Sequence, residues 1–139
     1  MSDCARALMR MVPFLLLSLL VVWGVWALQV HSSVACAAGM LAGGSYLLWR
    51  RPDLWPEALV SGALMVAVTL PVFWLLAWLS PHWVDQSWQP GLYSRWRLLG
   101  MPLGDMAFYA CSGFQCGPLL AFMFDFRWQP LQRRMTVHQ

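Results

Sequence analysis

Three long stretches of this chain carry no charged side chain, and they leave few folds open to it. They run from Met11 to Trp49 (39 residues), from Ala58 to Val84 (27) and from Met106 to Phe124 (19). A helix needs about 20 apolar residues to cross the roughly 30 Å hydrocarbon core of a bilayer. Helices and closed barrels are the structures that satisfy their own backbone there. The first stretch is about twice the length of one crossing, and "QVHSS" (Gln29 to Ser33) is its only polar break, so it is read as two helices. The expected fold is all-α: an integral membrane protein with a bundle of four transmembrane helices over residues 12–30, 34–50, 58–80 and 104–124. These form a single membrane domain over 1–139, with a Trp-rich external loop over 81–103.

Charge supports the same reading. Only 11% of the residues are charged, against about 25% in a soluble domain. The nine basic residues, all arginine, outnumber six acids and give a net charge of +3. That balance does not point to nucleic acid as a partner, because the arginines flank apolar blocks in pairs, as membrane topology requires. With four crossings, Arg6, Arg10, Arg50, Arg51, Arg127, Arg133 and Arg134 collect on one face, and Arg95 and Arg97 on the other. The positive-inside rule then places both termini in the cytoplasm and the protein in the cell inner (cytoplasmic) membrane, as a multi-pass protein. Trp49, Trp55 and Trp128 are expected in the inner aromatic belt, and Trp78, Trp83 and Trp88 in the outer one.

A cleaved signal sequence is the rival reading of the N-terminus: Arg6 and Arg10 precede an apolar run, and "SVACAA" resembles a small-residue cleavage site. That run, about 19 residues, is long for a signal peptide, and the segment is kept here as a helix.

The four cysteines do not read as a disulfide framework, and no CxxC, HExxH or Gly-rich phosphate loop is present. No metal and no cofactor is expected. The helix over 34–50 carries Ala35, Gly39 and Gly43 four apart, a spacing that lets helix backbones approach closely in lipid. Gly113 and Gly117 repeat that spacing in the last helix. These four glycines are the expected contacts of a homo-oligomer or hetero-oligomer. "RRPDLWPE" reads as a turn, with Pro52 and Pro56 as helix breakers and Asp53 and Glu57 complementing the N-terminus of the next helix. Pro71 is expected to kink that helix, with Thr69 satisfying the freed backbone groups. Gly117 and Pro118 mark a second expected kink. Gln115 is the one strongly polar side chain in the middle of the last helix and is expected to face another helix or a cavity rather than lipid.

Asp105, in "GMPLGDMAFY", is the acid at the mouth of that last helix. Two readings stand side by side. It caps the helix and complements its dipole, or it is an acid inside the membrane and so a candidate for chemistry.

The segment "WQPGLYSRWRLLGMPLGDMAFYACSGFQCGPLLAF" resembles the last-helix region of lycopene cyclase domain proteins, the small membrane type without flavin or nicotinamide. Trp88, Pro90, Gly100, Pro102, Leu103, Asp105, Phe108, Tyr109 and Gly113 stand at matching positions, and the resemblance covers roughly residues 50–124. Where that family has Pro-(Leu/Ile)-Glu-Glu, this chain has Gly104 in place of the first acid and Asp105 in place of the second. The resemblance implies a redox-neutral isomerisation of an isoprenoid or carotenoid-like lipid. A proton is added to a terminal alkene, a ring closes through a carbocation, and a proton leaves. Such a reaction needs an acid in an apolar site and then a base. Asp105 is the expected catalytic group, and Trp88, Pro102, Phe108, Tyr109 and Gln115 the expected substrate-binding residues, with aromatic faces stabilising the cation.

The alternative function is a non-catalytic subunit or assembly partner of a membrane protein complex. A small transporter is less well supported, because the first three helices hold no charge in mid-membrane.

Overall fold

The computed structural model describes residues 3–29, 32–80, 82 and 96–127. Its helices are α1 (Asp3–Leu28), α2 (Ser32–Arg50), α3 (Trp55–Leu79), α4 (Leu103–Cys116) and α5 (Leu119–Phe124). A short 3-10 turn, Pro52–Leu54, joins α2 to α3. Among the described residues the fold is all-helical apart from one hairpin with two residues in each strand. Three stretches among the described residues, against the four expected, are long and apolar enough to cross a membrane: Leu8–Leu28, Pro52–Leu79 and Leu103–Phe124. Their outward surfaces keep large apolar side chains exposed, Leu19, Trp26, Val60 and Trp78 among them. With 19 residues, α2 is about 28 Å long. Rich in glycine, alanine and serine, it is not among the stretches apolar enough to cross.

Helix α4 lies between α2 and α3, and α1 lies against α2 and the end of α5. Glycines set these contacts. A Cβ on Gly62 of α3 would stand 3.0 Å from the Ala110 carbonyl oxygen, and one on Gly113 of α4 would stand 2.8 Å from Gly62 Cα. Gly117 lies on Ser61, Gly39 on Val21 of α1, and Gly43 on both Leu17 and Gln115. The four glycines expected to carry contacts between chains are thus met by neighbours of their own chain. In lipid such close approach matters, because helices gain little from hydrophobicity and associate through van der Waals packing.

The packed core sits at one end of the bundle, where Phe14, Leu47, Leu48, Leu54, Ala58, Ala121 and Phe122 are buried together. The Phe14 ring meets Tyr46 and Phe122 edge-on, both at 6.1 Å between centroids. The first and last described helical ends meet here. Arg10 Nη1 donates to the Phe122 and Met123 carbonyls at 2.6 and 3.3 Å, filling acceptors that the end of a helix leaves open. Asp125, left-handed at φ 58°, ends α5, and the Phe126 N–H returns to the Ala121 carbonyl at 3.0 Å.

Proline placement accounts for the helix boundaries. Pro118 has no N–H to give, and the helix predicted over 104–124 is divided there into α4 and α5. Pro71 lies inside an unbroken α3. Thr69 Oγ1 donates to the Met65 and Val66 carbonyls at 2.8 and 3.1 Å, whereas the carbonyl that Pro71 leaves unpaired is that of Ala67. The expected role for Thr69 is therefore corrected. Trp49, Trp55 and Trp78 are exposed, while Trp83, Trp88 and Trp128 lie outside the described residues.

Candidate functional site

Arg97–Leu98 pairs antiparallel with Met101–Pro102, so the predicted external loop closes in a two-residue hairpin just before α4. Leu99 and Gly100 make its turn with φ of 51° and 85°, the two positive values that a type I′ turn needs. A Cβ on Gly100 would stand 2.8 Å from Ala77 Cβ. Glycine is thus required both by the turn and by its seat on the end of α3. The hairpin delivers Met101 and Pro102 into the interior and starts α4 at Leu103.

Asp105 falls in the first turn of α4, three residues after the N-cap Pro102, and no side chain caps the helix. Its residue exposure is 3%, and its Oδ2 is buried with no hydrogen-bond partner. The carboxylate therefore does not cap the helix through a hydrogen bond, while its place in the first turn still complements the helix dipole. An unpaired buried carboxylate is costly and calls for an account. Asp105, Tyr109 and Gly113 are four apart and form one stripe of α4, which Gly117 continues at the C-cap. Its last two members lie on Ser61 of α3. Tyr109 meets Phe73 of α3 edge-on at 6.2 Å and Phe108 at 5.6 Å. Asp105 thus opens the stripe that α4 turns toward α3, one turn above a cluster of three aromatic rings.

Pro102, Asp105, Phe108 and Tyr109, predicted as one site, come together at this end of α4. Gln115 does not join them. It is ten residues past Asp105, about 15 Å along the helix and about 280° around it. It lies against Gly43 and lines a cavity of about 270 Å³ between α1 and α2 with Phe14, Ser18, Cys36 and Met40. Gln115 thus faces another helix and a cavity, as expected, but stands apart from Pro102, Phe108 and Tyr109. Trp88 lies outside the described residues.

A comparison with known families matches residues 29–123, more than half of the chain, to lycopene cyclase. The chain belongs to the lycopene cyclase family. The match reaches back over the whole of α2, further than the expected 50–124, and takes in Asp105 and the aromatic cluster. No curated protein and no solved structure matches the chain. Within this lycopene cyclase fold, α1 precedes the matched region and packs onto α2 through Val21 and Leu17.

Two features of this family member go beyond the roles read from its sequence. Glu57, expected to complement the N-terminus of α3, has Oε2 buried without a partner. At the same end of the bundle, Arg51 makes a paired contact with Asp53 at 2.8 and 2.7 Å and reaches Asp125 at 2.6 Å. The Asp53 carboxylate and the acids around it hold the Arg51 guanidinium above the usual arginine range. Beside that network a second cavity, of about 320 Å³, is lined by Arg10, Arg50, Arg51 and Tyr46. The signal was present in the sequence as arginines flanking apolar blocks, but it was read there only as topology.

Proposed function

We propose that this lycopene cyclase family member is a multi-pass protein of the cytoplasmic membrane that binds a long isoprenoid or carotenoid-like lipid and isomerises it by acid–base chemistry at Asp105. The observation that carries the reading is the buried Asp105 Oδ2, unpaired, beside the aromatic cluster of Phe73, Phe108 and Tyr109. Free of hydrogen bonds that would fix its proton elsewhere, the carboxyl group gives a proton to a terminal alkene carbon. The alkene electron pair forms the new C–H bond and leaves a carbocation. A neighbouring alkene closes the ring onto that centre, and the Asp105 carboxylate takes up a proton from the adjacent carbon. Atoms and electrons balance as an isomerisation, and the acid is regenerated. The faces of nearby aromatic rings stabilise the cation.

Proton return to a single carboxylate makes one residue both acid and base, which accommodates Gly104 at the place of the family's first acid. That same glycine supports the competing reading, a non-catalytic subunit of a membrane complex. The two differ in what the protein carries out of the membrane. Lipid extracted from the purified protein and analysed by mass spectrometry is expected to be enriched in an isoprenoid or carotenoid relative to the total membrane extract. An extract with bulk phospholipid alone would sink the first reading and leave the subunit.

A further inference from the structure

We propose that the cavity between the start of α1 and the ends of α2 and α5 is a binding site for a phosphate-bearing anion, with the headgroup of an anionic phospholipid as its occupant. The cavity is about 320 Å³, at the lower end of the range for small-molecule sites. That is room for a headgroup and not for acyl chains. Arg10, Arg50 and Arg51 converge on it from two helices and a turn.

Two of the three guanidinium groups are held in place by the chain. Arg51 is fixed by Asp53 and Asp125, and Arg10 by the last carbonyls of α5, with Asp125 at 3.9 Å. The third, Arg50, is exposed and has no hydrogen bond or ion pair among the described residues. Of the three cations that line the cavity, Arg51 is paired with Asp53 and Asp125 and Arg10 faces Asp125, whereas Arg50 has no carboxylate within ion-pair distance among the described residues. A guanidinium presents its donors in a fork that matches phosphate oxygens. The two anchored neighbours make the donor set rigid in advance, which lowers the ordering cost of binding.

Position favours a lipid source. The apolar stretches begin at Leu8 and Pro52 and end at Phe124, so the cavity lies where hydrocarbon gives way to headgroups. Pro13 and Phe122 supply apolar wall, and Met9 and Val12, 65% and 48% exposed, continue an apolar surface down α1 for acyl chains. Basic pockets at this level between membrane helices are suited to anionic headgroups. This site lies away from Asp105, and its test does not depend on the proposed reaction.

The test is thermal unfolding of the purified full chain in neutral detergent, followed by far-UV circular dichroism. Phosphatidylglycerol, phosphatidylcholine and inorganic phosphate are added separately. Phosphatidylglycerol is expected to raise Tm by about 3 °C or more, as ligand binding to the folded state requires, and phosphatidylcholine to leave it unchanged. Arg50→Gln is expected to keep the lipid-free Tm, because Arg50 has no partner to lose among the described residues, and to remove at least half of the shift. Arg127→Gln, an exposed arginine that does not line the cavity, is expected to keep the whole shift. A shift by inorganic phosphate equal to that by phosphatidylglycerol, and equally sensitive to Arg50→Gln, supports the phosphate site and reassigns its source to a soluble anion. The proposal is overturned if no anion moves Tm, or if Arg50→Gln responds to phosphatidylglycerol as fully as Arg127→Gln does.

Discussion

A methyl group added at Gly113 gives a direct measure of how closely α3 and α4 are packed. Its Cβ would meet Gly62 Cα and Met65 Cγ, each at 2.8 Å, and also the Ser61 carbonyl oxygen. Ordinary carbon–carbon contact begins near 3.5 Å. The Met65 side chain can turn aside, but the Ser61 and Gly62 contacts are backbone in a helix and move only if the helices part. Overpacking of this kind costs about 1–3 kcal/mol. Gly→Ala in a helix also gains about 0.5–1 kcal/mol from propensity, so a suitable reference is another helical glycine in open space. Gly24 is one, with nothing within 4 Å of an added Cβ. The propensity gain is common to both variants, and their difference isolates the packing cost. Gly113→Ala is expected to be about 1–3 kcal/mol less stable than Gly24→Ala, a difference of about 5- to 150-fold in the folding equilibrium. Reversible unfolding by SDS titration in mixed micelles, followed by circular dichroism, measures it. Equal stability of the two variants would refute the close approach of α3 and α4, and with it the orientation of the Asp105 stripe.

Three further outcomes follow from the same packing. Gly100→Ala places a side chain at a φ of 85° and 2.8 Å from Ala77 Cβ. It is expected to lose about 1–2 kcal/mol in the same titration. Asp125→Asn weakens the contacts to Arg10 and Arg51, but its side chain is 50% exposed. The loss is therefore expected to stay below about 1 kcal/mol and to shrink as salt is raised. Gly43→Leu drives a side chain into Gln115 and Leu17, and should destabilise the isolated chain by about 3 kcal/mol or more. An effect seen only on association with another protein would reassign Gly43 to an interface between chains.

Much of the fold was legible because a membrane simplifies the chain's choices. The runs from 11 to 49, 58 to 84 and 106 to 124 lack charges, and the helices lie where those runs are. Charged residues mark the boundary less sharply than expected: α1 begins at Asp3 rather than near 12, taking Arg6 and Arg10 into the helix, because a helix continues past the hydrocarbon into the headgroups at no cost to its hydrogen bonds. The break at Pro118 was readable from the missing N–H.

What was not legible depended on which surfaces meet. A stripe of glycines announces close contact but not its partner, and here Gly39 and Gly43 are met by α1 and α4. The hairpin at 97–102 rests on only two paired residues in each strand and on the fit of Gly100 against Ala77, a tertiary contact without a local pattern. Asp105 follows a proline at the start of a helix, which reads as a cap, and what the sequence did not show is its burial without a hydrogen-bond partner. The distance between Gln115 and Asp105 was available from helical geometry alone.

The central claim is that Asp105 moves the proton. It is tested most directly by expressing the chain in a host that accumulates lycopene and has no cyclase of its own, with pigments resolved by chromatography. Wild type is expected to yield ringed products. Asp105→Asn, matched for membrane content by immunoblot, is expected to yield none, and Asp105→Glu to restore part of the yield. Asp105→Asn that forms ringed products at the wild-type rate would contradict the claim, as would wild type that leaves every isoprenoid offered to it unchanged.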